Sequence, residues 1–289
     1  MPRFTDNLDP DVRDILLSQI RNLWSHTSTA LEGNQLSLGD TAFLLEEGLT
    51  ISGKSLKDHQ EVVGHARAID LIYGLLESHR KILAQDLFDL HRAVQTDVVV
   101  DIYRPIGKWK NEPNFTSYVG QDGKQHWREY PHPQHIPQLV TEWLEHLNAP
   151  LQQADGDRCL PGKYADLHLE FVTIHPFFDG NGRLARLLAN LPVLKAGFPP
   201  IVVPAEARRP YLATLSEYQE TIPHLAELTC LDELPENSQR ERFRELCRGF
   251  WEETLELVKN ARTMQQEKVR ERKPISQPPS KITRKGPEL

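Results

Sequence analysis

Apolar residues return every three or four positions along most of this chain, a period that packed α-helices bury on one side. Asp9-Pro10 reads as an N-cap with proline at the first helical position. Val12, Ile15, Leu16, Gln19, Ile20 and Leu23 then form a mostly apolar stripe. The stripe runs on through Trp24 toward Glu32-Gly33-Asn34, where glycine can stop a helix. Leu38 to Glu47 predicts a second helix closed by Gly48, His59 to His79 a third, and Ala84 to Gln95 a shorter fourth. The pattern breaks between Asp101 and Pro137, where prolines and glycines crowd. There Thr116-Ser117-Tyr118-Val119 and Gln125-His126-Trp127-Arg128 read as two short strands around Gly120-Gln121-Asp122-Gly123. Helices resume at Ile136-Pro137, on either side of His175 to Gly182, from Pro210 to Tyr218, and as one long element from Arg240 to Met264. The expected fold class is mainly α.

Composition excludes several functions. The net charge of −7 argues against nucleic acid as a partner. No apolar run approaches the roughly 20 residues that a membrane-spanning helix needs, and Met1 to Asp6 lacks the apolar core of a secretory signal. Cys159, Cys230 and Cys247 are odd in number and far apart, so neither a disulfide framework nor a CxxC site is expected, and a reducing cytoplasm fits. His126, His132 and His135 lack a cysteine or second motif to complete a zinc site. Residues 274–289, rich in proline and basic side chains, read as a disordered tail.

The chemistry concentrates in His175-Pro176-Phe177-Phe178-Asp179-Gly180-Asn181-Gly182-Arg183-Leu184-Ala185-Arg186. Two glycines and an asparagine between two helices let successive backbone N–H groups converge, and the start of the second helix adds its positive dipole end. Such a turn is an anion site. Arg183 and Arg186 stand on the first turns of that helix, where both can face the same anion. Asp179 beside phosphate suits Mg²⁺, which takes one or two carboxylates plus phosphate oxygens and water. His175 can accept a proton near neutral pH. The segment lacks the Gly-Lys-Ser/Thr of a Walker loop and the separate lysine of a kinase.

These twelve residues resemble the signature of Fic-domain proteins. The likeness extends to Gly48–Lys54, Glu61-Val62-Val63, Asn190 and Gly197-Phe198-Pro199-Pro200, covering residues 25–215. The resemblance implies a Fic-type helical bundle with a short β-hairpin flap. It divides the chain into an N-terminal segment with an inhibitory helix at 1–40, a catalytic core at 41–205 with its flap near 113–130, C-terminal helices at 206–273, and the tail. It also implies ATP and Mg²⁺ as cofactors and transfer of AMP to a Ser, Thr or Tyr hydroxyl of a target protein docked at the flap. His175 would then be the base and Asp179 the metal ligand. Gly180, Asn181 and Gly182 would cradle the α- and β-phosphates with Arg183, Arg186 would hold the γ-phosphate, and Tyr211 would line the adenosine pocket. Gln219 stands where the family often has an asparagine. Ser28-Thr29-Ala30-Leu31-Glu32-Gly33-Asn34 resembles the family's inhibitory motif, which implies that Glu32 pairs with Arg186 while Ser28 braces Asn181. Self-modification and homo-oligomerisation are left open. So are another phosphate donor, removal of AMP by the same site, and a non-catalytic nucleotide-binding module.

Overall fold

The computed structural model describes residues 3–95, 104–119, 123–150 and 159–272. The expected turn at Gly120–Asp122 and the tail at 274–289 lie outside them. The described residues contain eleven α-helices and one two-stranded sheet: α1 Pro10–Ala30, α2 Leu38–Glu47, α3 Leu56–Glu77, α4 Ala84–Val94, β1 Phe115–Val119, β2 Gln125–Glu129, α5 Ile136–Asn148, α6 Leu160–Ile174, α7 Asn181–Leu188, α8 Leu191–Lys195, α9 Arg208–Glu220, α10 Ser238–Gly249 and α11 Glu252–Arg272. None of the described helices is long and apolar enough to cross a membrane.

Local signals set several boundaries. Ser37 and Asp40 exchange side-chain and backbone hydrogen bonds at the start of α2, and Gly48, with φ of 69°, closes it in the left-handed conformation. The helix at α1 stops at Ala30, three residues before Gly33. The single long element expected over Arg240 to Met264 is two helices, broken at Phe250-Trp251. There Trp251 Nε1 donates to the Pro199 carbonyl at 2.8 Å, and Thr254 Oγ1 donates to that of Pro200 at 2.6 Å. These bonds turn the chain onto the Gly197–Pro200 loop, which a straight helix could not satisfy.

α6 lies at the centre. From Leu160 to Ile174 it is buried on almost every side, and it packs against α5, α7, α8 and α10. That explains why its apolar residues surround it rather than marking one stripe. α1 packs against α2, α3 and α11, and its C-terminal end reaches α7. Near its other end Gln265 accepts from the Asp9 N–H at 2.7 Å, and Lys268 pairs with Asp9 and Asp11. The sheet is one antiparallel hairpin with Phe115 opposite Glu129 and Ser117 opposite Trp127. The helical core thus presents three separate elements, the end of α1, the α6–α7 turn and the hairpin, to one region.

Candidate active site

The α6–α7 turn carries two left-handed residues. His175 ends α6 with φ of 50°, a left-handed conformation that a non-glycine residue holds at a cost of about 1 kcal/mol, and Gly180 precedes α7 with φ of 78°. Phe177 between them is fully buried and stacks on His91, with ring centroids 4.0 Å apart. His91 Nδ1 accepts from the Gly107 N–H at 2.8 Å, so its other nitrogen donates to the Asp179 carbonyl at 3.1 Å. Burial pushes the His91 pKa down to about 4, which keeps this brace neutral. Asn181 closes the turn on itself: its Oδ1 accepts from the Phe177 N–H at 3.0 Å and its Nδ2 donates to the Phe177 carbonyl at 2.8 Å.

His175 is half-buried, and its ring lies flat against Tyr130, 3.8 Å away and tilted by 7°. Asn114 Nδ2 approaches His175 Nδ1 at 2.8 Å and Asn181 Nδ2 does so at 3.1 Å. Burial, then the Lys110 charge, pushes the imidazole pKa down to about 3, so the ring is neutral at physiological pH.

The two arginines flank the glycine turn but serve different partners, rather than converging on one point. Arg183 donates to the Val94 carbonyl at 2.9 Å and to Gln95 at 3.0 Å, and pairs with Asp179 at 3.3 Å; its Nε is buried without an acceptor among the described residues. Arg186 turns the other way. Its Nε donates to Ser28 Oγ at 3.0 Å, Nη1 to the Tyr211 hydroxyl at 3.2 Å, and Nη2 to the Ser28 carbonyl at 2.9 Å and to Glu32 Oε1 at 2.6 Å. A Cβ placed on Gly182 would sit 2.8 Å from that same Glu32 oxygen. The carboxylate therefore lies directly over the glycine turn.

Two expectations change. Ser28 does not brace Asn181: its hydroxyl and carbonyl both accept from Arg186, because Asn181 already spends its amide on Phe177 and His175. Tyr211, expected at a nucleotide-base pocket, is 1% exposed, and its hydroxyl is held between Arg186 and His168 Nε2 at 2.9 Å. In this conformation it positions a guanidinium and faces no open space.

Asp179 fits a single-carboxylate Mg²⁺ position. Burial raises its pKa, but Arg183 and Gln95 outweigh burial and hold it below the usual carboxylate range, and two-thirds of its side chain, 66%, is exposed. No group of three His, Cys, Asp or Glu residues with metal-holding geometry occurs among the described residues, so the other donors would be phosphate oxygens and water. A separate cavity of about 630 Å³ beside Tyr73, His79 and Lys195 contains none of these residues.

Sequence reading missed Lys110, Asn114, Tyr130 and His91. His91 had a faint signal, since it shares the apolar stripe of α4 with Leu87 and Val94. The other three mark the two roots of the hairpin, and nothing in their local pattern ties them to a histidine that follows them by as many as 65 positions.

Known proteins resemble this chain in sequence and in fold. Residues 59–193 match the profile of the Fic/DOC family. Over 202 residues, 67% of this chain and 36% of the relative, the chain is 33% identical to protein adenylyltransferase fic-1 of Caenorhabditis briggsae. Over 185 residues it is 33% identical to protein adenylyltransferase Fic of Drosophila willistoni, covering 64% of this chain and 34% of the relative. The chain thus spans about a third of the length of these relatives. A Fic domain containing signaling protein from Bacteroides thetaiotaomicron superposes with a TM-score of 0.69 at 25% identity, covering 89% of this chain and 93% of its own. A fragment of Fic-1 from C. elegans superposes with a TM-score of 0.66 at 26% identity, covering 90% and 69%.

Proposed function

The chain belongs to the Fic/DOC family, and on that premise we propose that it transfers AMP from ATP to a hydroxyl of a target protein and restrains itself through Glu32. The relatives' names, protein adenylyltransferase, support the reaction class. The observation that carries the reading is the Glu32 carboxylate lying over Gly182 and bonded to Arg186, at the mouth of a glycine turn that His175 precedes.

In the proposed reaction the target oxygen bonds to the α-phosphorus, the bond from that phosphorus to the bridging oxygen breaks, and pyrophosphate leaves. His175 takes the hydroxyl proton. The ring is neutral at working pH and held by Tyr130 and two amides, so it is oriented before the substrate arrives. The first N–H groups of α7, which have no helical partner, and Arg183 hold the α- and β-phosphates. Arg186 would meet the γ-phosphate, and while Glu32 occupies it the triphosphate lacks that partner. Asp179 would hold Mg²⁺, whose charge would offset that of the phosphates. The target segment lies along the hairpin, where Phe115 and Trp127 are 54% and 69% exposed on the same strand face next to Asn114.

The test is labelled ATP with Mg²⁺ on wild type, Glu32→Gly and His175→Ala, with self-modification read first and candidate targets second. Transfer should rise in Glu32→Gly and vanish in His175→Ala. Silence of both wild type and Glu32→Gly, with nucleotide still bound, would assign the chain to nucleotide binding without transfer. Competition by other nucleotides identifies the donor.

A further inference from the structure

The amides around His175 carry more than orientation. Asn114 Oδ1 accepts from Lys110 Nζ at 2.7 Å, and its Nδ2 donates both to the Phe177 carbonyl at 3.0 Å and to His175 Nδ1 at 2.8 Å. Turning this amide over would set N–H groups against the lysine and an oxygen against a carbonyl, so its orientation follows from its partners. Asn181 is fixed in the same way by the Phe177 N–H and carbonyl. Two N–H groups therefore point at His175 Nδ1.

A neutral imidazole has one lone pair, and the nitrogen that accepts hydrogen bonds is the one without a proton. Here that is Nδ1, so Nε2 carries the hydrogen. Among the described residues Nε2 is approached by Asn181 Nδ2 alone, at 3.4 Å against that amide's 3.1 Å from Nδ1, and is the nitrogen left open to an incoming hydroxyl. In the resting chain that nitrogen is a donor and cannot accept a proton. Protonating Nδ1 would set a third N–H against the two amides.

We propose that Asn114, oriented by Lys110, is a positioning residue that fixes the proton of His175 on Nε2 in the resting chain and releases it when the flap is engaged. The inference rests on His175 being the base of the proposed transfer. Asn114 is the residue immediately before β1, and its carbonyl accepts from the Tyr130 N–H at 3.2 Å, immediately after β2. Lys110 is tied in turn to the Pro176 carbonyl by its own N–H at 2.9 Å. Asn114, Lys110 and Tyr130 are all buried, and a strand docked on the hairpin would act on Asn114 through β1. Once Asn114 turns away, Nε2–H exchanges with solvent, Nδ1 gains a proton from solvent, and the lone pair on Nε2 faces the hydroxyl. Burial pushes the Lys110 pKa down to about 7, against the opposing pull of Glu129. The charged groups acting on the imidazole are Lys110 and Asp179.

Nitrogen-15 NMR of the full chain labelled at histidine, with the His175 signals identified by their loss in His175→Ala, reads the proton directly. The expected wild-type pattern at neutral pH is a bare Nδ1 and a protonated Nε2. In Asn114→Asp the carboxylate only accepts, so the proton moves to Nδ1 and the imidazole midpoint rises by about one pH unit or more. In Lys110→Met the amide loses one of the two partners that orient it, and both tautomers appear. A wild-type ring protonated at Nδ1 overturns the proposal. So does an Asn114→Asp variant with wild-type thermal stability and an unchanged pattern. In the Glu32→Gly background, Asn114→Asp should move the acid limb of the kcat–pH profile upward by the same about one unit, with KM for ATP within about twofold. None of the NMR outcomes depends on transfer, so loss of the base reading and loss of this inference are told apart.

Discussion

Removing the Glu32 carboxylate should raise activity and lower stability together, and the structure gives the size of both effects. Arg186 is 3% exposed and bonds three neutral acceptors and one charged one. A hydrogen bond to a charged partner contributes about 1.5–3 kcal/mol. Glu32 is 41% exposed, so screening by water favours the lower end, about 1.5 kcal/mol. That is the free energy a γ-phosphate must displace to reach the guanidinium, and it corresponds to about tenfold in an equilibrium constant. Glu32→Gly should therefore bind ATP with Mg²⁺ about ten times more tightly by calorimetry and transfer label at least about ten times faster. Its unfolding midpoint without nucleotide should fall by about 3–6 °C, since Ser28 and Tyr211 remain but the carboxylate is gone. Glu32→Gln, which keeps a neutral acceptor, should fall between the two. A folded Glu32→Gly protein with wild-type ATP affinity and transfer would show that the carboxylate does not compete for the phosphate site.

Three further outcomes follow from particular side chains. Asn190 is fully buried and spends its amide on the Arg186 carbonyl at 2.9 Å and on both backbone groups of Ile201. Asn190→Ala strands these groups and should cost about 2–4 kcal/mol, read as a lowered midpoint in thermal unfolding. Arg128, on β2, bonds Gln219 Oε1 at 2.9 Å and the Ser216 carbonyl at 3.2 Å, with its guanidinium 4.2 Å from the centre of the Tyr118 ring. Arg128→Ala should unfasten the hairpin from α9, lowering transfer to a protein target while calorimetry finds ATP affinity unchanged. His168 and His91 are buried, with pKa values pushed down to about 3 and about 4 by burial. Below pH 6.5 the unfolded chain takes up protons that the folded chain refuses, so stability falls as pH drops from about 6.5 toward 4 by about 1.4 kcal/mol per unit for each histidine. Urea titrations across that window measure the slope; a flat profile would mean that these rings find protons in the folded state.

The helices were legible because each buries a face with its own spacing. Leu38–Glu47 is bounded by a capping box and a left-handed glycine, both readable from residue types alone. The strands of the hairpin were legible for a similar reason, alternation flanked by glycine and proline. The break at Phe250-Trp251 was not, because the spacing of Phe243, Leu246, Phe250 and Leu255 suits a continuous helix. Only the carbonyls of Pro199 and Pro200, some fifty residues earlier, reward the bend.

What the sequence determined by itself was the turn from His175 to Arg186, since two glycines, an asparagine and a helix start specify an anion cradle through local backbone geometry. Tertiary structure decided who attends it. Glu32 reaches Arg186 across 154 positions, Asn114 reaches His175 across 61, and Tyr211 reaches Arg186 across 25. Backbone preferences act over a few residues, whereas hydrogen bonds between side chains depend on which helices pack side by side, and no spacing along the chain records that.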